Sequence, residues 1–509
     1  MRHKKILSAT LSVAMAALMV GASQAPVSAA TKTITIAVPG LPTSQGNPFR
    51  VGPGTPGIHT FAAIFDALTR VDDKGIVRAR LATYWKTVNS TTWRFTLRQG
   101  VKFSNGEDFN ADAVKTTIDF LVSADGRKTT IGGTEFPDLS GASKVSQYVV
   151  DITTKTPDAV FPAKLASLYI VAPKAWTSAG QDVFAKEPIG TGPFKVDSIT
   201  TTRIEMSAFT GSWRSPKADK LVLIQLSGTD GTPRLQALQS GQVNIAIAIN
   251  PDQIAAAKKS KATVITVPAP QVMSLAYNVT AGGPVKDIRV RQALNYAVNK
   301  EAIANSLLVG VGKAATQGVT PSARGYNNAV QGYPYNPTKA KELLAAAGYE
   351  KGLTINADIT VGSFPSDNLI YQAVKADLAK VGVTLNYTTI TFAQWLPQYN
   401  ANSWKGEAFG LSWNSAPRGD SSRPYEIFVC KPVGAFYCNA EEDALVKKAA
   451  VEFNTVKRLA LLKEIAVKVT ASAPSLYIVE QIDLYAVGRS VKGFSAANRS
   501  IAYENIYVK

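Results

Sequence analysis

Along residues 93–98 the apolar side chains Trp93, Phe95 and Leu97 alternate with Arg94, Thr96 and Arg98, the two-residue period of a half-buried strand. Gln99-Gly100 and Asn105-Gly106 then read as turns. Asn110 is placed to cap a helix from Ala111 to Val122 whose apolar face carries Val114, Ile118 and Leu121. The same kind of alternation predicts a first strand over 31–38, further strands within 194–198, 203–226, 241–249, 381–391 and 408–413, and a last one over 476–487. Helical spacing predicts helices over 58–69, 234–240, 287–297, 301–308, 337–347, 368–380, 440–451 and 455–471. The 337–347 helix has Asn336 as its cap, Pro337 as its first residue and Gly348 as its stop. Residues 39–57 are rich in Gly, Pro, Ser and Thr and read as a loop. Gly52, Gly54 and Gly57 fit the letters of a dinucleotide fingerprint, but two prolines and the lack of a strand just before them make this a turn. Strands alternating with helices predict an α/β protein.

A chain of 509 residues is too long for one core and predicts about three domains. Residues 1–30 stand apart: Arg2, Lys4 and Lys5 precede an apolar run from Ile6 to Val20, and Val27-Ser28-Ala29-Ala30 offers small residues for cleavage. That is the pattern of a secretory signal, and its apolar run falls short of the ~20 residues needed to span a bilayer. It holds no cysteine for a lipid anchor, so the expected location is a periplasm. The formal charge is +18, or +15 once the three basic residues of the signal are removed. Lys and Arg are scattered rather than clustered, which predicts a solvated surface and no nucleic-acid partner. The two cysteines, Cys430 and Cys438, are expected to pair in an oxidising compartment, the alternative being two buried thiols. With one histidine, His59, outside the signal, neither a Ser-His arrangement nor a metal site is assembled. Glu107-Asp108 falls in a turn and Glu441-Glu442-Asp443 in a first helical turn, where acids suit the dipole. No catalytic residue, metal or cofactor is expected.

Four stretches carry a resemblance: YWKTVNSTTWRFTLRQGVKFSNGEDFNADAV at 84–114, PIGTGPFKV at 188–196, VRQALNYAVNKEAI at 290–303 and YNPTKAKELLAAAGY at 335–349. Together they resemble solute-binding protein family 5, the large extracytoplasmic binding proteins of peptide, nickel and opine ABC importers. The first keeps Trp93, Phe95, Leu97, Arg98, Gly100, Val101, Lys102, Phe103, Gly106, Phe109, Ala111 and Val114 of that family's signature. The resemblance implies a type II periplasmic-binding fold, two α/β lobes joined by a hinge plus an extra third lobe. It divides the chain into 31–57, 185–270 and 479–509 (lobe I), 58–184 (the extra lobe II) and 271–478 (lobe III). It also implies a monomer without enzymatic activity that closes on a solute and delivers it to an ABC permease and ATPase. An exported hydrolase and a ligand-sensing or chaperone protein remain the alternatives.

The segment from Gly410 to Ala416 resembles the family's cleft-lining segment, which implies that Trp413 stacks over the ligand and that Asn414 and Ser415 contact it. Ser363, and Ser44 with Gln45 from the loop after the first strand, are further expected contacts, as is Tyr277. Peptide-binding members place an aspartate after the tryptophan to pair with the peptide's amino terminus; here that place holds Ala416. Dipeptide-type members add an arginine, yet residues 361–365 read Val-Gly-Ser-Phe-Pro. Burying an ammonium without a partner costs several kcal/mol, which disfavours free dipeptides. Arg418, Asp420 and Arg423 are either substitute anchors for an opine- or sugar-like ligand or a solvated loop.

Overall fold

A computed structural model describes residues 32–509 apart from 53, 229, 363, 417, 429 and 431–433. The signal read over residues 1–30 lies outside the described residues. Eleven strands among the described residues form one mixed sheet. They are β1 (Thr33–Val38), β2 (Phe194–Ile199), β3 (Arg203–Ala208), β4 (Lys220–Gln225), β5 (Ile245–Ile247), β6 (Thr263–Tyr277), β7 (Lys313–Ala314), β8 (Leu353–Ile359), β9 (Val383–Thr389), β10 (Ala408–Asn414) and β11 (Ser475–Val487). Their order is β9-β8-β10-β6-β11-β5-β1-β4-β3-β2, with β7 set against β11. The parallel runs β9-β8-β10 and β5-β1-β4 flank a long antiparallel pair, β6 and β11. That pair is 15 and 13 residues long and runs through both halves of the sheet. Its register breaks between Pro268 and Val272. Pro268 and Pro270 have no N–H to give, so the ladder loosens at the place where the chain passes from one half to the other.

The 93–97 alternation forms the strand Thr92–Leu97 of a separate antiparallel sheet, ordered Ala82–Asn89, Thr92–Leu97, Val149–Thr154, Leu139–Ser146. Asn110 caps the following helix, Ala111–Val122, its side chain accepting from the Asp112 N–H at 2.8 Å. Val114, Ile118 and Leu121 are fully buried, in one apolar cluster with Phe95 and Leu97 and with Ile34, Ile36 and Ile245 of the large sheet. The helix expected over 58–69 is shorter, Gly57–Ile64. Beyond it Asp66 is drawn into a buried charge cluster, against Arg80 at 2.7 Å and Arg214 at 3.1 Å, with the Thr191 hydroxyl donating at 2.9 Å. The 188–196 stretch lies over that helix end. A Cβ on Gly192 would meet the Ala63 carbonyl oxygen at 2.5 Å, which leaves room for glycine alone.

In the other half, Asn336 caps Pro337–Ala346, and helices Ile288–Tyr296, Lys300–Leu307, Asp367–Ala379, Ala440–Ala450 and Thr455–Ser472 match the helical spacing to within two residues. A second apolar cluster packs β8 and β9 under several of these, and a third gathers Phe409, Leu411, Trp413, Tyr425, Phe428, Leu462 and Tyr477. Within the third, one face of the Trp413 indole lies on Gly318, where a Cβ would stand 2.5 Å from the ring. Gly318→Ala is therefore expected to destabilise the fold by about 1–3 kcal/mol through overpacking. Urea unfolding measures this, and an unchanged midpoint would mean that Trp413 has space to shift.

Candidate ligand-binding cleft

The carboxyl ends of β1, β5, β8 and β10 converge on the break between β6 and β11. Ligands of open α/β sheets bind outside strand carboxyl ends, where the strand order switches. A cavity of about 90 Å³ lies there, with Pro39, His59 and Ile247 from one half, Phe364 from the other, and Asp483 and Tyr485 of β11 between them. The Phe364 loop is pinned by Asp367, whose carboxylate accepts from the N–H groups of Gly362 at 3.0 Å and Phe364 at 3.1 Å. An adjoining hollow is lined by Met273, Phe364, Glu480 and Gln481. Asp483 is held by Arg499 through two hydrogen bonds, 2.9 and 3.0 Å. The same end of β10 is tied to the break, because the Ser415 N–H donates to the Pro270 carbonyl at 2.8 Å.

The residues expected at the ligand divide into three groups. Ser415 and Asn414 stand beside the break. The Ser415 hydroxyl is buried without a partner, and the Asn414 side chain accepts from the Ala416 N–H at 2.8 Å in a local turn. Gln271 pairs with Asn414 and Met273 with Ser412, so Gln271, Asn414 and Ser412 share a face, and Gln271 Oε1 and Ser412 Oγ have no partner. Ser44 and Gln45 lie in the loop after β1, with the Ser44 hydroxyl also buried and unpartnered; the loop is fastened by the Gly46 N–H to the Ala185 carbonyl at 2.8 Å.

Trp413 and Tyr277 sit in the core in this structure. The Trp413 indole N–H donates to Ser475 Oγ at 3.0 Å, its ring packs on Phe428 and Tyr477, and Gly318 covers it, so no face is open for stacking. Tyr277 ends β6, five residues beyond Val272, and is buried in the second apolar cluster. The third group is the charged loop, which is neither solvated nor free. Arg418 is buried against Glu426 at 2.6 Å, Arg423 reaches Glu135 at 3.2 Å, and Asp420 takes a two-pronged contact from Arg458 at 2.7 and 2.8 Å. Burial favours the neutral form of Asp420, but Arg458 outweighs it and holds the carboxyl below its ordinary range. Ser363 is outside the described residues. Cys430 and Cys438 are joined by a disulfide. Among the described residues no group of three or more His, Cys, Asp or Glu side chains is arranged to hold a metal. His59, Gln481 and Tyr485 were not expected at the cleft, since nothing in their local sequence places them together.

Two groups at the cleft titrate oppositely. Burial lowers the His59 ring to about 4, with Asp483 opposing and Arg499 adding to the effect. Burial pushes the Glu480 carboxyl up to about 7, only partly offset by Lys313 on β7. Between pH 6.5 and 4 the unfolded chain takes a proton at His59 that the folded chain refuses, so this contribution to stability is lost as pH falls. Between pH 4.5 and 7 the folded chain keeps a proton at Glu480 that the unfolded chain releases, so that contribution is lost as pH rises. Glu480→Gln is therefore expected to gain on the parent by roughly 2–3 kcal/mol between pH 4.5 and pH 7.5. Urea unfolding at both pH values reads this directly; an equal difference at the two would mean that Glu480 ionises as in water.

Comparison with known proteins bears on the family and the fold. A family model described as bacterial extracellular solute-binding proteins, family 5 Middle, matches residues 77–434. The dipeptide-binding protein of Escherichia coli (strain K12) is 31% identical over 455 residues, covering 81% of this chain and 83% of that one. Heme-binding protein A of Haemophilus influenzae is 30% identical over 456 residues, covering 82% and 81%. Among solved structures, the dipeptide-binding protein of Pseudoalteromonas sp. SM9913 in complex with Met-Leu superposes with a TM-score of 0.80 at 20% identity, covering 94% of this chain and 100% of that one. The fold is thus the type II periplasmic-binding fold, and the chain belongs to the bacterial extracellular solute-binding proteins of family 5, the non-enzymatic substrate-binding components of ABC importers.

Proposed function

We propose that this protein captures an uncharged, hydrogen-bonding solute, sugar-like or a peptide without free charged termini, in the cleft at the β6–β11 break. It acts in the periplasm as a monomer, after loss of residues 1–30, and hands the solute to an ABC permease and ATPase at the inner membrane. In this reading lobe I is 31–57, 185–270 and 479–509, the extra lobe is 58–184, and lobe III is 271–478.

One observation carries the choice of ligand. Most charged side chains around the cleft are already matched, Arg418 with Glu426, Arg423 with Glu135, Asp420 with Arg458 and Asp483 with Arg499. Of the other two, Arg234 gives its guanidinium to the carbonyls of Leu226, Gly228, Ile247 and Ala248, and burial pushes the Glu480 carboxyl towards its neutral form. The buried groups left without partners are mostly neutral: Ser44, Gln271, Ser412, Ser415 and Gln481. The exceptions, Arg423 Nε and Glu426 Oε1, belong to groups that are ion-paired through another atom. An opine carboxylate would have to take an arginine from its glutamate and leave that glutamate buried and unpaired, a cost of several kcal/mol. A free ammonium meets Ala416 where a carboxylate would be needed. Peptide capture is the second reading, favoured by the name of the E. coli relative.

A thermal shift on protein unfolded and refolded to strip its ligand tests this. Neutral oligosaccharides and N-acetylated, C-amidated tripeptides are compared with free dipeptides, opines and nickel–histidine chelates. A ligand at 100 times its Kd adds about 2.7 kcal/mol of stability. Stabilisation by the uncharged set is expected; stabilisation by free dipeptides or opines alone would overturn the reading.

A further inference from the structure

His59 is 5% exposed, and neither of its ring nitrogens has a hydrogen-bond partner among the described residues. Its backbone is well satisfied, its carbonyl accepting from the Tyr503 hydroxyl at 2.6 Å, so the ring is held in place and only its chemistry is unanswered. The Tyr485 hydroxyl, fully buried on β11, is also without a partner. Both side chains line the 90 Å³ cavity. Burial keeps the imidazole neutral near pH 7, with one N–H and one lone pair. The charges beside it, Asp483 and Arg499, close on each other. Arg499 is delivered by a tight hairpin, Ala496–Ala497 against Ser500–Ile501, whose two tip residues Asn498 and Arg499 have φ of 46° and 67°. Buried polar groups in native proteins nearly always find a partner, in the chain, in ordered water or in a ligand. Here the described residues supply none to three polar atoms around one hollow that both halves of the protein enclose.

We propose that the cavity between His59, Tyr485 and the Asp483–Arg499 pair is a polar subsite that takes an uncharged group with both a donor and an acceptor, a carboxamide or a hydroxyl, of the captured solute. The inference rests on the reading of the cleft as a neutral-solute site and gives it a location. Imidazole and phenol each offer a donor and an acceptor, which suits a group that does the same. The Asp483–Arg499 pair compensates itself, and Arg234, which also lines the cavity, spends its guanidinium on the carbonyls of Leu226, Gly228, Ile247 and Ala248. Apolar walls from Pro39, Ile247 and Phe364 exclude water that would compete.

The chain has two histidines, His3 and His59, so a chain carrying His3→Gln has a single imidazole. Its ring nitrogens are followed by ¹⁵N magnetic resonance while acetamide, acetate or methylammonium is added. Acetamide is expected to move the His59 ring lines in a saturable way, and Tyr485→Phe to weaken that titration about fivefold, as for one lost hydrogen bond. A response to acetamide that stays linear, or an equal saturable response to acetate or methylammonium, would overturn the subsite. So would a neutral solute that raises the unfolding temperature while the His59 lines stay where they were, and that outcome would leave the wider cleft reading intact. Absence of stabilisation by any neutral solute, with the acetamide titration as expected, would instead overturn the cleft reading and keep the subsite.

Discussion

The structure depends on one strand pairing that is broken in its middle. β6 and β11 are the two long strands shared by both halves of the sheet; their register shifts across the Pro268–Val272 interval and once more between Met273 and Ser274. Prolines at 268 and 270 remove two ladder donors at that point. Backbone pairing runs on each side of that interval and is interrupted within it. Everything assigned to the cleft sits around this gap: the Ser415 N–H on the Pro270 carbonyl, Gln271 opposite Asn414, and Glu480 to Tyr485 along the partner strand. A solute bound there touches both halves at once. It shifts the balance between open and closed arrangements by as much as it binds the closed one better.

The second constraint is electrostatic. A basic chain folds a set of arginines against buried carboxylates, and several of these pairs link segments far apart in sequence. Arg423 with Glu135 spans 288 positions, and Arg214 bridges Asp66 and Glu504. The first of these, with the Trp93–Phe453 ring contact and the Ala159 N–H on the Ala450 carbonyl, joins the small-sheet region to the segment from Arg423 to Phe453 beyond β10. A charge removed from water in this way is costly unless it is matched. The matched pairs therefore hold these distant segments together and take most of the charge near the cleft out of play, with Arg234 bonded to backbone carbonyls and Glu480 pushed towards its neutral form. Capture by neutral hydrogen-bonding groups is the chemistry we propose for it.

Much of the scaffold was legible in the sequence, because it is encoded locally. The Trp93–Leu97 alternation, the Asn110 and Asn336 caps and the helix spacings through 288–472 depend on residues within a turn or two of each other, and the structure reproduces them. The helix expected to reach 69 stops at Ile64, because Asp66 is claimed by Arg80, Thr191 and Arg214, the last two more than a hundred positions away. The site was legible only in outline. Ser415 and Asn414 were placed near the cleft by resemblance, but the same resemblance put Trp413 there, and whether an indole stacks on a ligand or on a core is decided by Gly318, Phe428 and Tyr477. Arg418 and Arg423 read either as substitute anchors or as a solvated loop until Glu426 and Glu135 are seen beside them. His59 stood out as the lone histidine beyond residue 30, yet its neighbours Asp483, Tyr485 and Arg499 come from the opposite end of the chain.

The most direct test is the identity of what the protein carries. The protein isolated from its own cells without unfolding, then denatured, releases its bound small molecule for mass spectrometry. The account predicts an uncharged solute rich in hydroxyl or amide groups, one per chain. A dipeptide with free termini, an opine carboxylate or a nickel chelate would contradict it.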